Sequence, residues 1–179
     1  MNASIFLRLY NHFWGSSPEL IFKYRNKAQS AGNGVLRLYY TFRYYKALSR
    51  FNSEIPLSAK FFDCPVFPHG IKGVFISSGA TIGKDCCIFQ QVTIGSNTIS
   101  GSKGYGAPVI GNNCLIGAGA KIIGRVVVGN NVRIGANCVV VNDIPDNCTV
   151  VMNKPRTIIN EMYRDNSFSR FEKAECDNS

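Results

Sequence analysis

The sequence carries two histidines, His12 and His69. His69 falls in a mostly apolar stretch, FPHGIKGVFIS, at residues 67–77. A neutral imidazole can take the proton from a hydroxyl as that hydroxyl attacks an ester or thioester, and few side chains do this near neutral pH. His69 is therefore a candidate base for group transfer. The competing reading is a histidine that merely fills a buried strand. Seven cysteines offer a second chemistry, metal binding. No cysteine pair has zinc-ligand spacing with histidines nearby, so that chemistry is not expected. A hydratase built on three histidines around zinc is excluded on the same ground, because only His69 lies in the repeat region. No nucleophile elbow marks a covalent mechanism.

The elements that position His69 follow from a repeat. Aliphatic residues fall six apart at Ile76, Ile82, Ile88 and Ile94. The ladder resumes at Ile110, Ile116, Ile122, Val128, Ile134 and Val140. A small or β-branched residue stands four places after most of these, and glycine often follows the aliphatic directly. Neither a helix nor an alternating strand has period six. The pattern predicts short strands joined by corners, three per turn, with stacked turns burying one aliphatic column. Glycine is expected where the chain turns with no room for a Cβ. Cys86, Cys114 and Cys138 hold the small inward position and read as packing residues. Ile55, Phe61 and Phe67 extend the phase upstream as a first turn. From Phe67 to Ile76 the spacing is nine instead of six, so the segment with His69 holds an irregular corner. A second break, ISGSKGYGAP at 99–108, reads as a loop expelled from the prism.

Outside the prism the chain divides into a segment at 1–52 and a tail at 158–179, with the β-helix at 53–157. Residues 1–50 hold eight Lys/Arg against one acid, and residues 51–179 hold twelve against ten. The basic character belongs to the N-terminal segment, which suits an anionic surface or polymer. SPEL at 17–20 predicts a helix start, and NG at 33–34 a break. Leu36, Tyr40, Tyr44, Ala47, Leu48 and Phe51 form a helical stripe expected to cover the open end of the prism. A short helix is expected in the tail. An odd number of cysteines without an export signal predicts a cytoplasmic protein, with a peripheral site at the inner face of the membrane as the sharper reading.

The motifs EIPLSAKF (54–61), FPHGIKGVFI (67–76), IFQQVTIGS (88–96), IGAGAKIIG (116–124) and DIPDNCTVV (143–151) together resemble the hexapeptide-repeat acyltransferases. The likeness is to their serine O-acetyltransferase branch. It implies a left-handed parallel β-helix and an acetyl-CoA-dependent transferase. It also implies a homotrimer with active sites between chains. In that branch a histidine on an early coil is the base, and an acid fifteen residues earlier orients it. His69 and Glu54 hold those positions. The resemblance maps the acetyl-CoA contacts onto Gly95, Ala118, Ala136, Val141, Asn142, Lys154 and Arg156. Lys103 and Tyr105 on the loop are candidates for the acceptor.

Two departures bear on the acceptor. Serine acetyltransferases carry aspartate where Pro68 stands, and an Arg-His pair where Gly106 and Ala107 stand. A zwitterionic amino acid needs a cation for its carboxylate. These departures point to the enzymes that acetylate capsular or other surface polysaccharides, or their sugar precursors, with serine as the alternative acceptor. The expected partners are acetyl-CoA, a carbohydrate acceptor, further copies of the chain, and a membrane or anionic polymer at the basic N-terminus. No metal and no nucleic acid are expected.

Overall fold

The computed structural model describes residues 17–159 and 161–163. The repeat folds into a left-handed β-helix of five turns. The first turn is formed by Ile55, β1 (Lys60–Phe61) and Val66. The second holds β2 (Phe75–Ile76), β3 (Thr81–Ile82) and β4 (Cys87–Ile88). The third holds β5 (Thr93–Gly95), β6 (Val109–Ile110) and β7 (Leu115–Ile116). The fourth holds β8 (Lys121–Ile123), β9 (Val127–Val128) and β10 (Arg133–Ile134). The fifth holds β11 (Val139–Val140), Ile144 and β12 (Thr149–Val150).

Every pairing between these strands is parallel and joins one turn to the next. Face 1 stacks β2, β5, β8 and β11, face 2 stacks β1, β3, β6 and β9, and face 3 stacks β4, β7, β10 and β12. The six-residue period brings Ile76, Ile94, Ile122 and Val140 into register on face 1. Their side chains are buried, as are those of Ile82, Ile110 and Val128 on face 2 and of Ile88, Ile116 and Ile134 on face 3. Cys86, Cys114 and Cys138 are buried inside the prism, in the packing positions expected. The Cys86 and Cys114 thiols donate to the carbonyls of Gly111 and Gly129, at 3.3 and 3.1 Å. A hydrogen bond with Cys114, reinforced by burial, pushes the Cys86 thiol well above its ordinary pKa.

The corners divide the work of turning differently from the expectation. The glycines that follow the aliphatics serve close approach between coils. A Cβ on Gly83 would lie 2.4 Å from the Gly111 carbonyl oxygen. On one edge the left-handed backbone positions fall to short polar residues, Asp85, Asn113, Asn131 and Asn147. Asparagine tolerates that region because its side chain can bond locally. Here the amides also bond to each other, Asn113 to Asn131 at 2.8 Å and Asn131 to Asn147 at 3.0 Å.

Among the described residues, two helices close the N-terminal end of the prism. Helix α1 (Pro18–Ser30) starts where Ser17 Oγ accepts from the Leu20 N–H at 3.3 Å. Helix α2 (Gly34–Ser49) starts where Asn33 Oδ1 accepts from the Val35 N–H at 2.8 Å. The opening turn of a solenoid has carbonyls with no coil beyond them to bond. Arg25 of α1, itself buried, donates to the carbonyls of Leu57 and Ala59, and Tyr44 of α2 donates to Ile55 O at 2.7 Å. Burial lowers the pKa of the Arg25 guanidinium and raises that of the Tyr44 hydroxyl. Phe22 meets the Phe61 ring edge-on at 5.1 Å and lies 6.0 Å from Phe67.

The cap therefore differs from the stripe expected at 36–51. Helix α1 supplies Ile21, Phe22 and Arg25, α2 supplies only its C-terminal half, and Leu36 is exposed. Replacing Arg25 with methionine keeps the apolar stem but leaves the Ala59 carbonyl without its donor and the Leu57 carbonyl with Gln29 Nε2 alone. It should destabilise the fold by about 2 kcal/mol, measured as a shift in the urea midpoint. The described part of the tail, through Tyr163, is not helical, and the rest of the expected C-terminal helix lies outside the described residues.

Candidate active site

The prism has three edges, and two of them matter here. The edge from face 3 to face 1 carries His69. Val66 pairs with Cys87 and Phe75 with Thr93, so this corner is three residues longer in the first turn than in the second. The extra length is accommodated by Gly70 and Gly73, with φ of 72° and 63°. Ile71 folds inward and is fully buried. Ser53 fastens the insert: its Oγ accepts from the Val74 N–H at 3.1 Å and donates to the Ile71 carbonyl. The turn closes where the Gly70 N–H donates to Phe67 O at 3.0 Å. Pro68 and His69 are thereby left outside, and His69 is exposed. Its ring lies 5.7 Å from that of Phe89 on the next coil. The buried-strand reading of His69 does not hold.

Below His69 the same edge continues coil by coil. Gln91 N–H donates to Lys72 O, Gly119 N–H to Gln90 O, and Asn137 N–H to Ala118 O, at 2.8, 3.0 and 2.8 Å. Ala118 and Ala136 thus lie in line beneath the histidine, with small side chains and main chain at the surface. The Gly135 N–H donates to Val150 O at 2.8 Å, which places the exit from β12 at the foot of this edge. From there the chain runs without helix or strand through Lys154 and Arg156, both exposed.

Glu54 stands on face 1 in the first turn. Its N–H donates to Val74 O at 3.0 Å and its carbonyl accepts from Ile76 N–H at 2.8 Å. Its exposed carboxylate borders a shallow cavity of about 380 Å³, lined also by Phe75, Ser77, Thr93 and Gly95. Among the described residues no hydrogen bond joins Glu54 to His69.

The second edge, from face 1 to face 2, carries the loop. Asn97 and Gly106 pair antiparallel, with N–H to O distances of 2.9 and 3.0 Å, and pinch off the residues between them. The loop folds back along its own prism, where Arg125 N–H donates to Gly104 O at 2.9 Å. Lys103 and Gly104 line a cavity of about 380 Å³ with Arg125, Val141, Asn142 and Asp143. Tyr105 is exposed beside it. Within one chain, then, Lys103, Tyr105, Val141 and Asn142 share one edge, while His69, Ala118 and Ala136 share another.

Arg125 was not singled out by the sequence. A Cβ on Gly106 would lie 3.1 Å from the Arg125 Cβ, so the arginine stem packs against the loop glycine. It stands one coil beyond the loop, inside a hexad, where a cation looks like an ordinary surface residue. Among the described residues no three His, Cys, Asp or Glu side chains gather as a metal site.

Prism and edge together define a hexapeptide-repeat acyltransferase. A family model for the bacterial transferase hexapeptide (six repeats) matches residues 107–142. The serine acetyltransferase of Helicobacter pylori is 39% identical over 124 residues, spanning 68% of this chain and 71% of the relative. That of Synechococcus elongatus is 46% identical over 83 residues, spanning 46% of this chain and 33% of the relative. The structure of serine acetyltransferase isoform 3 from Entamoeba histolytica, in complex with cysteine, superposes with a TM-score of 0.65 at 27% identity, covering 82% of this chain and 52% of that one. The chain belongs to the serine acetyltransferase family of hexapeptide-repeat acyltransferases. It spans about a third of the Synechococcus relative and about half of the Entamoeba chain.

These relatives overturn the expected capsular or surface-polysaccharide acceptor, and with it the carbohydrate partner. That expectation rested on a missing loop cation and on Pro68. A cation need not come from the loop itself, and Arg125 stands against the loop base from the next coil.

Proposed function

We propose that the chain transfers the acetyl group of acetyl-CoA to the hydroxyl of L-serine by direct attack. The observation that carries this reading is the single edge on which His69 stands above Ala118 and Ala136, in a chain whose relatives are serine acetyltransferases. His69 takes the hydroxyl proton as the serine oxygen bonds to the thioester carbonyl carbon. The tetrahedral intermediate collapses, the C–S bond breaks, and the imidazolium returns the proton to the departing thiolate. Glu54 orients the imidazole and stabilises its charged form. Backbone N–H groups of the Gly70–Gly73 corner or of Gly95 stabilise the oxyanion.

Acetyl-CoA lies against Ala118 and Ala136, where small side chains let pantetheine approach the main chain. Lys154 and Arg156 meet its phosphates at the foot of the edge. Gly95, Val141 and Asn142 complete the groove from a neighbouring copy in a trimer, which would also bring Lys103 and Tyr105 toward the acceptor. Arg125 supplies the cation for the serine carboxylate.

The test is CoA release from acetyl-CoA with and without L-serine. Serine-dependent release supports the proposal, and release no faster than hydrolysis overturns it. Arg125→Ala should raise the KM for serine ~10-fold or more and leave the KM for acetyl-CoA unchanged. A rise confined to acetyl-CoA would instead assign Arg125 to the CoA phosphates.

A further inference from the structure

The outward face of α2 is largely exposed within the described chain, with Tyr45 at its edge accepting from the Leu57 N–H at 3.4 Å. Tyr44, Ala47 and Leu48 point to the prism and are buried. On the opposite side Val35, Leu38 and Phe42 are 77%, 71% and 61% exposed, and Tyr39 and Tyr45 flank them. At 100° per residue these five fall on one face. A helix that is apolar on both sides is one that buries both. Contiguous exposed apolar patches of this kind mark sites of association.

The charges around the patch decide between occupants. No acidic residue stands from Gly34 to Arg50, and Lys46 falls on the side of the patch; Arg37 lies on the stripe of Tyr44, and Arg43 donates to the Tyr39 and Tyr24 hydroxyls at 2.9 and 2.7 Å. The Lys46 ammonium lies 5.7 Å from the centre of the Phe42 ring, so cation and aromatic share the rim of the patch. Two copies meeting through α2 would bring like charges together with no acid on either helix. An anionic lipid surface complements both features: its headgroups meet the cation, and its acyl boundary takes the aromatic and aliphatic side chains. No described helix is long and apolar enough to cross a membrane, so the contact would lie in the interface plane.

We propose that the outward face of α2 docks on an anionic membrane surface. Docking would hold the first turn of the prism, with Glu54 beside α2, at the membrane side of the molecule. Tyr45, Leu48 and Ser49 of α2 line a shallow cavity together with Glu54 and Phe75. The inference does not depend on the acceptor.

The test is co-sedimentation of the full chain with vesicles of phosphatidylglycerol and, separately, of phosphatidylcholine. Binding should be at least ~10-fold tighter to phosphatidylglycerol and weaken in high salt. Leu38→Ser/Phe42→Ser and Lys46→Glu should each weaken it ~10-fold or more, with an unchanged circular dichroism spectrum. Equal binding to both lipids, or none, overturns the proposal. So does a Leu38→Ser/Phe42→Ser variant that binds vesicles as before. If that variant instead changes the sedimentation mass, the face joins copies of the chain, and if it lowers the melting temperature, the chain covers the face itself.

Discussion

His69→Ala should lower kcat by ~10²–10⁴-fold, the range typical for loss of a general base. The fold should survive, because the histidine is exposed and its described contact is the ring of Phe89. The corner is held by Ser53, Ile71 and the Gly70 turn, none of which uses the imidazole. Affinity for CoA should stay unchanged, because the proposed groove is built from Ala118, Ala136 and main chain. The measurements are steady-state thiol release, CoA titration by calorimetry and thermal unfolding. A variant with full turnover would remove His69 from the chemistry. A variant that loses CoA binding along with turnover would make its role one of holding the groove.

The second large effect is on stability. Ile122 is fully buried and pairs in register with Ile94 on one side and Val140 on the other. Its removal opens the column in the middle, where coils above and below are fixed by ladder hydrogen bonds and cannot close in. Ile122→Ala should therefore cost ~2–5 kcal/mol, read from urea unfolding at constant m-value. An effect below about 1 kcal/mol would mean that the column relaxes around the gap.

The edge that carries His69 and the loop edge are legible in the chain as two departures from one rhythm. The spacing of nine between Phe67 and Ile76 marks the corner that holds His69 outside, and the sixteen residues from Ile94 to Ile110 mark the loop. Both are local facts, because an insertion must leave a prism whose strands are kept in register by buried aliphatics. The acceptor was read wrongly because that inference stayed within the loop. Arg125 reaches the loop base only through stacking of the fourth turn on the third, a contact between residues nineteen apart, Gly106 and Arg125.

The helices show the same division. Ser17 with Pro18, and Asn33, state in sequence where α1 and α2 begin, since capping is settled within one turn. Which helix seals the prism depends on the direction in which each leaves the first coil. Arg25 gives no sign in sequence that it will meet the carbonyls of Leu57 and Ala59.

What the sequence alone determined is the prism, its turn count through 76–140, and the corner at which His69 stands, because a six-residue period admits one way of burying its aliphatics. Only the tertiary structure decided that His69 and the loop lie on different edges, that α1 closes the end, and that Arg125 underlies the loop. Those relations are set by how coils and helices stack, and stacking joins residues that the chain keeps far apart.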